Sequence, residues 1–130
     1  DPTILPIDQA TAGFYGRIAY DLKFGGLATD GEEGERIAGT VGNHNAVMMQ
    51  NHGVTTFGAT VAEAFDLMYH LERACRTMVM AYQTGQPLAV MPDALARATA
   101  AEWGAYKGAQ FAHFEQKKAM LDRQEPEYRT

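Results

Sequence analysis

Four histidines, His44, His52, His70 and His113, and one cysteine, Cys75, are the side chains of this 130-residue chain best suited to hold a metal ion or carry a reactive group. Neutral imidazole ligates zinc and similar ions well, and a reactive zinc-type site needs three protein ligands with one position open. Asn51-His52-Gly53 stands out locally. A histidine at the end of a buried strand is held rigidly, and the absent side chain of Gly53 leaves room for a tight turn or a ligand. Two readings stand side by side, a metal ligand or an imidazole that only hydrogen-bonds in a corner. Asn51 could orient His52 or its substrate, or satisfy the corner's own backbone. His44 lies in a polar loop at the far end of the preceding strand, too distant to be a second ligand, and reads as solvent-exposed. His70 and Asp66 read as an i,i+4 surface pair, with a subunit interface as the second reading. His113, among Phe111, Phe114 and Glu115, reads as structural. Cys75 falls on an apolar helix stripe and reads as a small core residue, not a nucleophile.

The elements that must position these residues follow from periodicity and punctuation. Ile18, Tyr20 and Leu22 alternate with polar neighbours, which predicts a strand with one buried face, ended by Gly25-Gly26. Residues 30–42 predict a short helix, capped by Asp30, favoured by Glu32, Glu33 and Glu35 at its positive end and stopped by Gly42. Ala46 to Met49 and Val54 to Phe57 predict two strands joined by the polar corner at His52. Thr60 and Glu63 form a capping box for a helix over 60–84, stopped by Gly85 and Pro87. Its apolar stripe contains Val61, Phe65, Met68, Leu71, Cys75, Met78, Val79 and Tyr82, while Glu63, Asp66, His70, Arg73 and Thr77 form a polar face. Pro92 opens a second long helix that ends near Lys118. Gly104 and Gly108 weaken it by roughly 1 kcal/mol each, or admit a close helix. The tail from Leu121 to Thr130 reads as extended.

Size allows one hydrophobic core. Eleven basic and sixteen acidic side chains give a formal charge of −5, a poor balance for binding nucleic acid or anionic membrane. No apolar run reaches membrane-spanning length, no signal peptide is visible, and a lone cysteine fits the reducing cytoplasm. The chain opens on Asp1-Pro2, and residues upstream of it are expected.

The stretch from Met48 to Gly58, with Thr60 to Phe65 and Leu71 to Cys75, resembles the class II aldolase and adducin family. Leu5 to Gln9, and Leu121 to Arg123 with Pro126 to Tyr128, resemble its bacterial adducin-like branch. The resemblance implies an α/β fold, an αβα sandwich of which residues 1–130 are the C-terminal portion, a few strands plus long helices. It also implies a divalent metal, usually zinc, held by three histidines, two from an upstream His-x-His and the third at the Asn-His-Gly corner, which is His52. Such an ion polarises a carbonyl for carbon–carbon bond cleavage in a sugar-like or hydroxy-acid substrate. No His-x-His occurs in this chain, and the phosphate-binding segments and acid/base glutamate of the family are also absent. By itself the chain is therefore not expected to be active, and a non-catalytic adducin-like interaction domain or an inactive fragment is the alternative reading. The resemblance further implies a homo-oligomer, usually a tetramer, in which a C-terminal tyrosine, Tyr128 or less directly Tyr106, could reach a neighbour's active site.

Overall fold

In the computed structural model of the chain, residues 3–26, 31–106 and 108–129 are described. A short first helix, α1 (Gln9–Ala12), is started by Asp8, whose carboxylate accepts the Thr11 N–H at 2.7 Å. Strand β1 (Ile18–Asp21), helix α2 (Gly31–Val41) and strands β2 (Ala46–Met49) and β3 (Gly53–Thr56) follow. The long α3 (Val61–Gln83) precedes α4 (Asp93–Ala105), α5 (Ala109–Gln124) and a 3-10 turn at Pro126–Arg129.

β2 is the middle strand of a three-stranded sheet. Ala46 and Val47, on its opposite faces, are both fully buried, as a short apolar run in the sheet centre requires. β1 pairs with it in parallel through the α2 crossover, and β3 pairs antiparallel as a hairpin. The expected strand, polar corner and strand around His52 are therefore present. β1 differs from the one-sided strand the alternation predicts: Ile18, Ala19 and Asp21 are all buried. Asp21 is tolerated inside because Arg36 of α2 grips both of its carboxylate oxygens, each at 2.7 Å. Leu22, past the strand end, is exposed. The expected cap of α2 at Asp30 lies outside the described residues. Its stop is as expected, with Gly42 in the left-handed region at φ 50°.

α3 lies along the sheet and carries the core. Leu71, Ala74 and Met78 pack with Ile4, Phe14, Ile18 and Ala46, and half-buried Leu67 and Cys75 close around them. The buried stripe is narrower than the apolar pattern: Val61, Val79 and Tyr82 are exposed. Thr60 accepts the Glu63 N–H at 3.2 Å as the capping box requires, but the Glu63 carboxylate reaches back to the Ala59 N–H at 2.8 Å instead of that of Thr60.

The C-terminal region departs most from expectation. The single helix from Pro92 to Lys118 is two helices, broken between Ala105 and Ala109, with Gly108 at φ 92°. Gly104 faces open space, so it admits no close helix. The break lets α5 fold back onto α3, where Phe114 meets Phe65 edge-on at 5.6 Å. The tail is not extended: α5 runs to Gln124 and the 3-10 turn follows.

Candidate metal centre

His52 sits where the sequence puts it, at the tip of the β2–β3 hairpin. The turn is closed by the His52 N–H donating to the Met49 carbonyl at 3.2 Å. Asn51 holds φ 57° and Gly53 holds φ 136°. Asn and Gly are the residues that tolerate these conformations, so the tripeptide identity follows from the turn's backbone. The His52 side chain is exposed, and among the described residues no side-chain partner hydrogen-bonds to it. It belongs to no group of three or more candidate ligands among the described residues. The three-histidine centre that the resemblance implies thus does not fit the described residues alone, which offer one candidate for it, His52.

The structure assembles a different group. Asp66 and His70, one turn apart on α3, meet His113 of α5. His113 Nδ1 lies 2.7 Å from Asp66 Oδ1, and His70 Nε2 lies 3.5 Å from the same oxygen. One ligand atom from each residue can be chosen so that all three lie within 4.8 Å of one another. All three side chains are half-buried. Aromatic rings wall the group: Tyr69 lies 4.5 Å from the His113 ring, and Trp103 stands edge-on to His70 at 5.4 Å. Burial pushes the His70 imidazole below its ordinary pKa, opposed by Asp66 and reinforced by His113 and Arg73. The expected surface pair of Asp66 and His70 is therefore a three-way cluster beneath α5, and His113 is its third member. The signal that could have found it is weak, since His113 is 47 residues from Asp66 and meets it only because the helix breaks near Gly108.

A cavity of about 500 Å³ opens beside the cluster, bordered by Asp66, His70, Trp103, Glu63, Arg17 and Gln110 among others. His44 also borders it, exposed as expected, with its Nδ1 2.9 Å from the Val41 carbonyl. The cavity's strand-side wall is formed by Asn45 and Phe57, which are hydrogen-bonded at 2.8 Å just past the hairpin end opposite His52. The length of the hairpin, on the order of 10–13 Å, separates the His52 tip from this wall of the cavity.

Of the remaining candidates, Cys75 packs against the core, and burial pushes its thiol pKa up, as expected of an unreactive cysteine. The Tyr128 hydroxyl donates to Asp122 Oδ1 at 2.6 Å within its own chain. Tyr106 is exposed at the cavity rim.

Against known proteins, residues 1–79 match the model of the class II aldolase and adducin N-terminal domain. A candidate aldolase class 2 protein of Caulobacter vibrioides is 39% identical over 83 residues, 64% of this chain and 32% of that protein. An aldolase II superfamily protein of Pseudomonas syringae superposes with a TM-score of 0.87 at 29% identity, over 98% of this chain and 51% of that one. An L-fuculose 1-phosphate aldolase of Glaciozyma antarctica shares the fold, with a TM-score of 0.73 at 23% identity, over 96% of this chain and 47% of that one. The chain thus spans about a third of the length of the curated relative and about half of each solved one. The mixed α/β fold of a small sheet and long helices is that of these neighbours, and the match over residues 1–79 places the chain in the class II aldolase and adducin family.

Proposed function

We propose that residues 1–130 form the His52-bearing portion of a metal-dependent lyase that cleaves or forms a carbon–carbon bond next to a carbonyl in a small sugar-like or hydroxy-acid substrate. The observation that carries this is the His52 corner. Two positive-φ residues fix the hairpin tip, and the imidazole stands exposed with no described side-chain partner, as a ligand awaiting further ligands must. In this reading His52 is one of three histidines on a divalent ion, zinc by preference, and the other two come from outside these residues. When bound, the ion supplies Lewis-acid polarisation of the substrate carbonyl. The protein works as a homo-oligomer in the cytoplasm, and Tyr128 reaches a neighbouring subunit's site after leaving Asp122. No helix of the described residues is long and apolar enough to cross a membrane.

Elemental mass spectrometry on the natural full-length protein tests the assignment. The His52→Ala variant is expected to lose one divalent ion per chain relative to the wild type. Equal metal content in the two would refute the ligand role of His52 and favour a non-catalytic, adducin-like interaction domain.

A further inference from the structure

We propose that Asp66, His70 and His113 form a second divalent-metal site, of zinc type, that clips α5 to α3. It is independent of the lyase reading and of His52. Two imidazole nitrogens and one carboxylate oxygen are a donor set for borderline divalent ions such as zinc. A tetrahedral ion with bonds of about 2.0–2.1 Å keeps its ligand atoms about 3.4 Å apart. The Asp66–His70 edge already measures 3.5 Å. The Asp66–His113 edge is 2.7 Å, a hydrogen bond with a proton where the ion would sit, and must open by roughly half an ångström. A ligand atom can be chosen on each of the three residues so that all lie within 4.8 Å of one another. Asp66 and His70 also border the cavity, so a fourth position facing it remains for water or an anion.

The architecture gives the site a purpose. α5 contributes no fully buried residue. It meets α3 through Phe114 against Phe65, His113 against Asp66, Phe65, Tyr69 and His70, and Lys117 over the Tyr69 ring. An ion shared by the two helices would join segments 47 residues apart in sequence. Binding only the folded arrangement would stabilise it by mass action.

The test strips the natural full-length protein with a chelator and titrates it calorimetrically with zinc chloride alone. Wild type is compared with H52A, D66N and H113F, the last keeping a ring against Tyr69. H52A is expected to retain one zinc equivalent. D66N and H113F are expected to bind that equivalent at least about tenfold more weakly, the loss that even an outer partner of a metal site produces. Unchanged affinity in both D66N and H113F, or no zinc bound by H52A, overturns the site. A second measurement needs no variant: diethyl pyrocarbonate footprinting of the wild type with and without zinc. Zinc is expected to protect His70 and His113 and to leave His44 reactive. Unprotected His70 and His113 overturn the site whether or not the variants fold. Loss of metal confined to H52A would instead leave the lyase reading standing and remove this one.

Discussion

Asp21 is 4% exposed, on a strand whose neighbours are apolar, yet it stays charged because of what faces it. From α2, Arg36 donates to both of its oxygens while a second carboxylate, Glu33, shares the guanidinium at 2.6–2.7 Å. On its own strand's exit, the Lys23 N–H donates to Asp21 Oδ1 at 3.1 Å. The Arg36 hydrogen bond holds the Asp21 carboxyl below its usual pKa, and burial opposes this only in part. A carboxylate whose pKa is depressed in the folded state stabilises the fold above its unfolded pKa of about 4 and loses that contribution as pH falls through the native value. Asp21→Asn should therefore cost about 1–3 kcal/mol at pH 7, by leaving an amide nitrogen against the guanidinium. Its deficit in urea melts should shrink as the pH drops below about 4, because the wild type then protonates too. A deficit of constant size from pH 7 to pH 3 would show that the loss is one of packing and not of charge. This pairing was not legible in the sequence. Alternation places Asp21 on a strand but says nothing of an arginine fifteen residues on, brought beside it by the crossover. His52 was legible because its surroundings are local, a glycine and an asparagine whose backbone angles make the turn.

The helices were read well where the sequence punctuates them and poorly where it does not. Thr60 and Gly85 bound α3 by chemistry that acts within one turn. The break between α4 and α5 has no proline, and Gly104 and Gly108 read equally well as weak points inside one helix. The resulting fold-back creates the metal-type cluster, so one missed boundary hid the meeting of His113 with Asp66 and His70. The orientation of α4 in turn depends on α1. A Cβ on Gly13 would stand 2.7 Å from Trp103 Cδ2, and Gly13 itself has an ordinary helical φ of −57°. The glycine is therefore required for space and not for backbone freedom. Gly13→Ala should force Trp103 aside, costing about 1–3 kcal/mol as overpacking. Trp103 is the chain's sole tryptophan, so its emission should shift in the native state and the denaturation midpoint should fall together. Native emission identical to wild type would show that α4 absorbs the methyl without moving its ring.

The whole chain exposes 8620 Å² of surface. A compact monomer of 14.2 kDa is expected to expose only about 6,800 Å². The excess, roughly 1,800 Å², exceeds what one partner contributes to a standard protein interface. Part of it is apolar: Val79, Met80 and Tyr82 stand exposed near the C-terminal end of α3, and Leu22 and Phe24 are exposed beyond β1. Val79 and Tyr82 lie one turn apart and continue the stripe that Cys75 and Met78 begin, so the surface is a core face without a cover. The 130-residue segment alone should therefore self-associate at micromolar concentration, and replacing both Val79 and Tyr82 by Lys should reduce that association. Sedimentation velocity over a hundredfold range of concentration separates the outcomes. A rising weight-average coefficient, lowered by the double substitution, supports the uncovered face as the cause. A rise that the substitution leaves untouched would move the association to Leu22 and Phe24 or to α5. A single boundary at the monomer mass throughout would mean that an excess of this size is tolerated in water, and that the exposed stripe on α3 costs less than its apolar area implies.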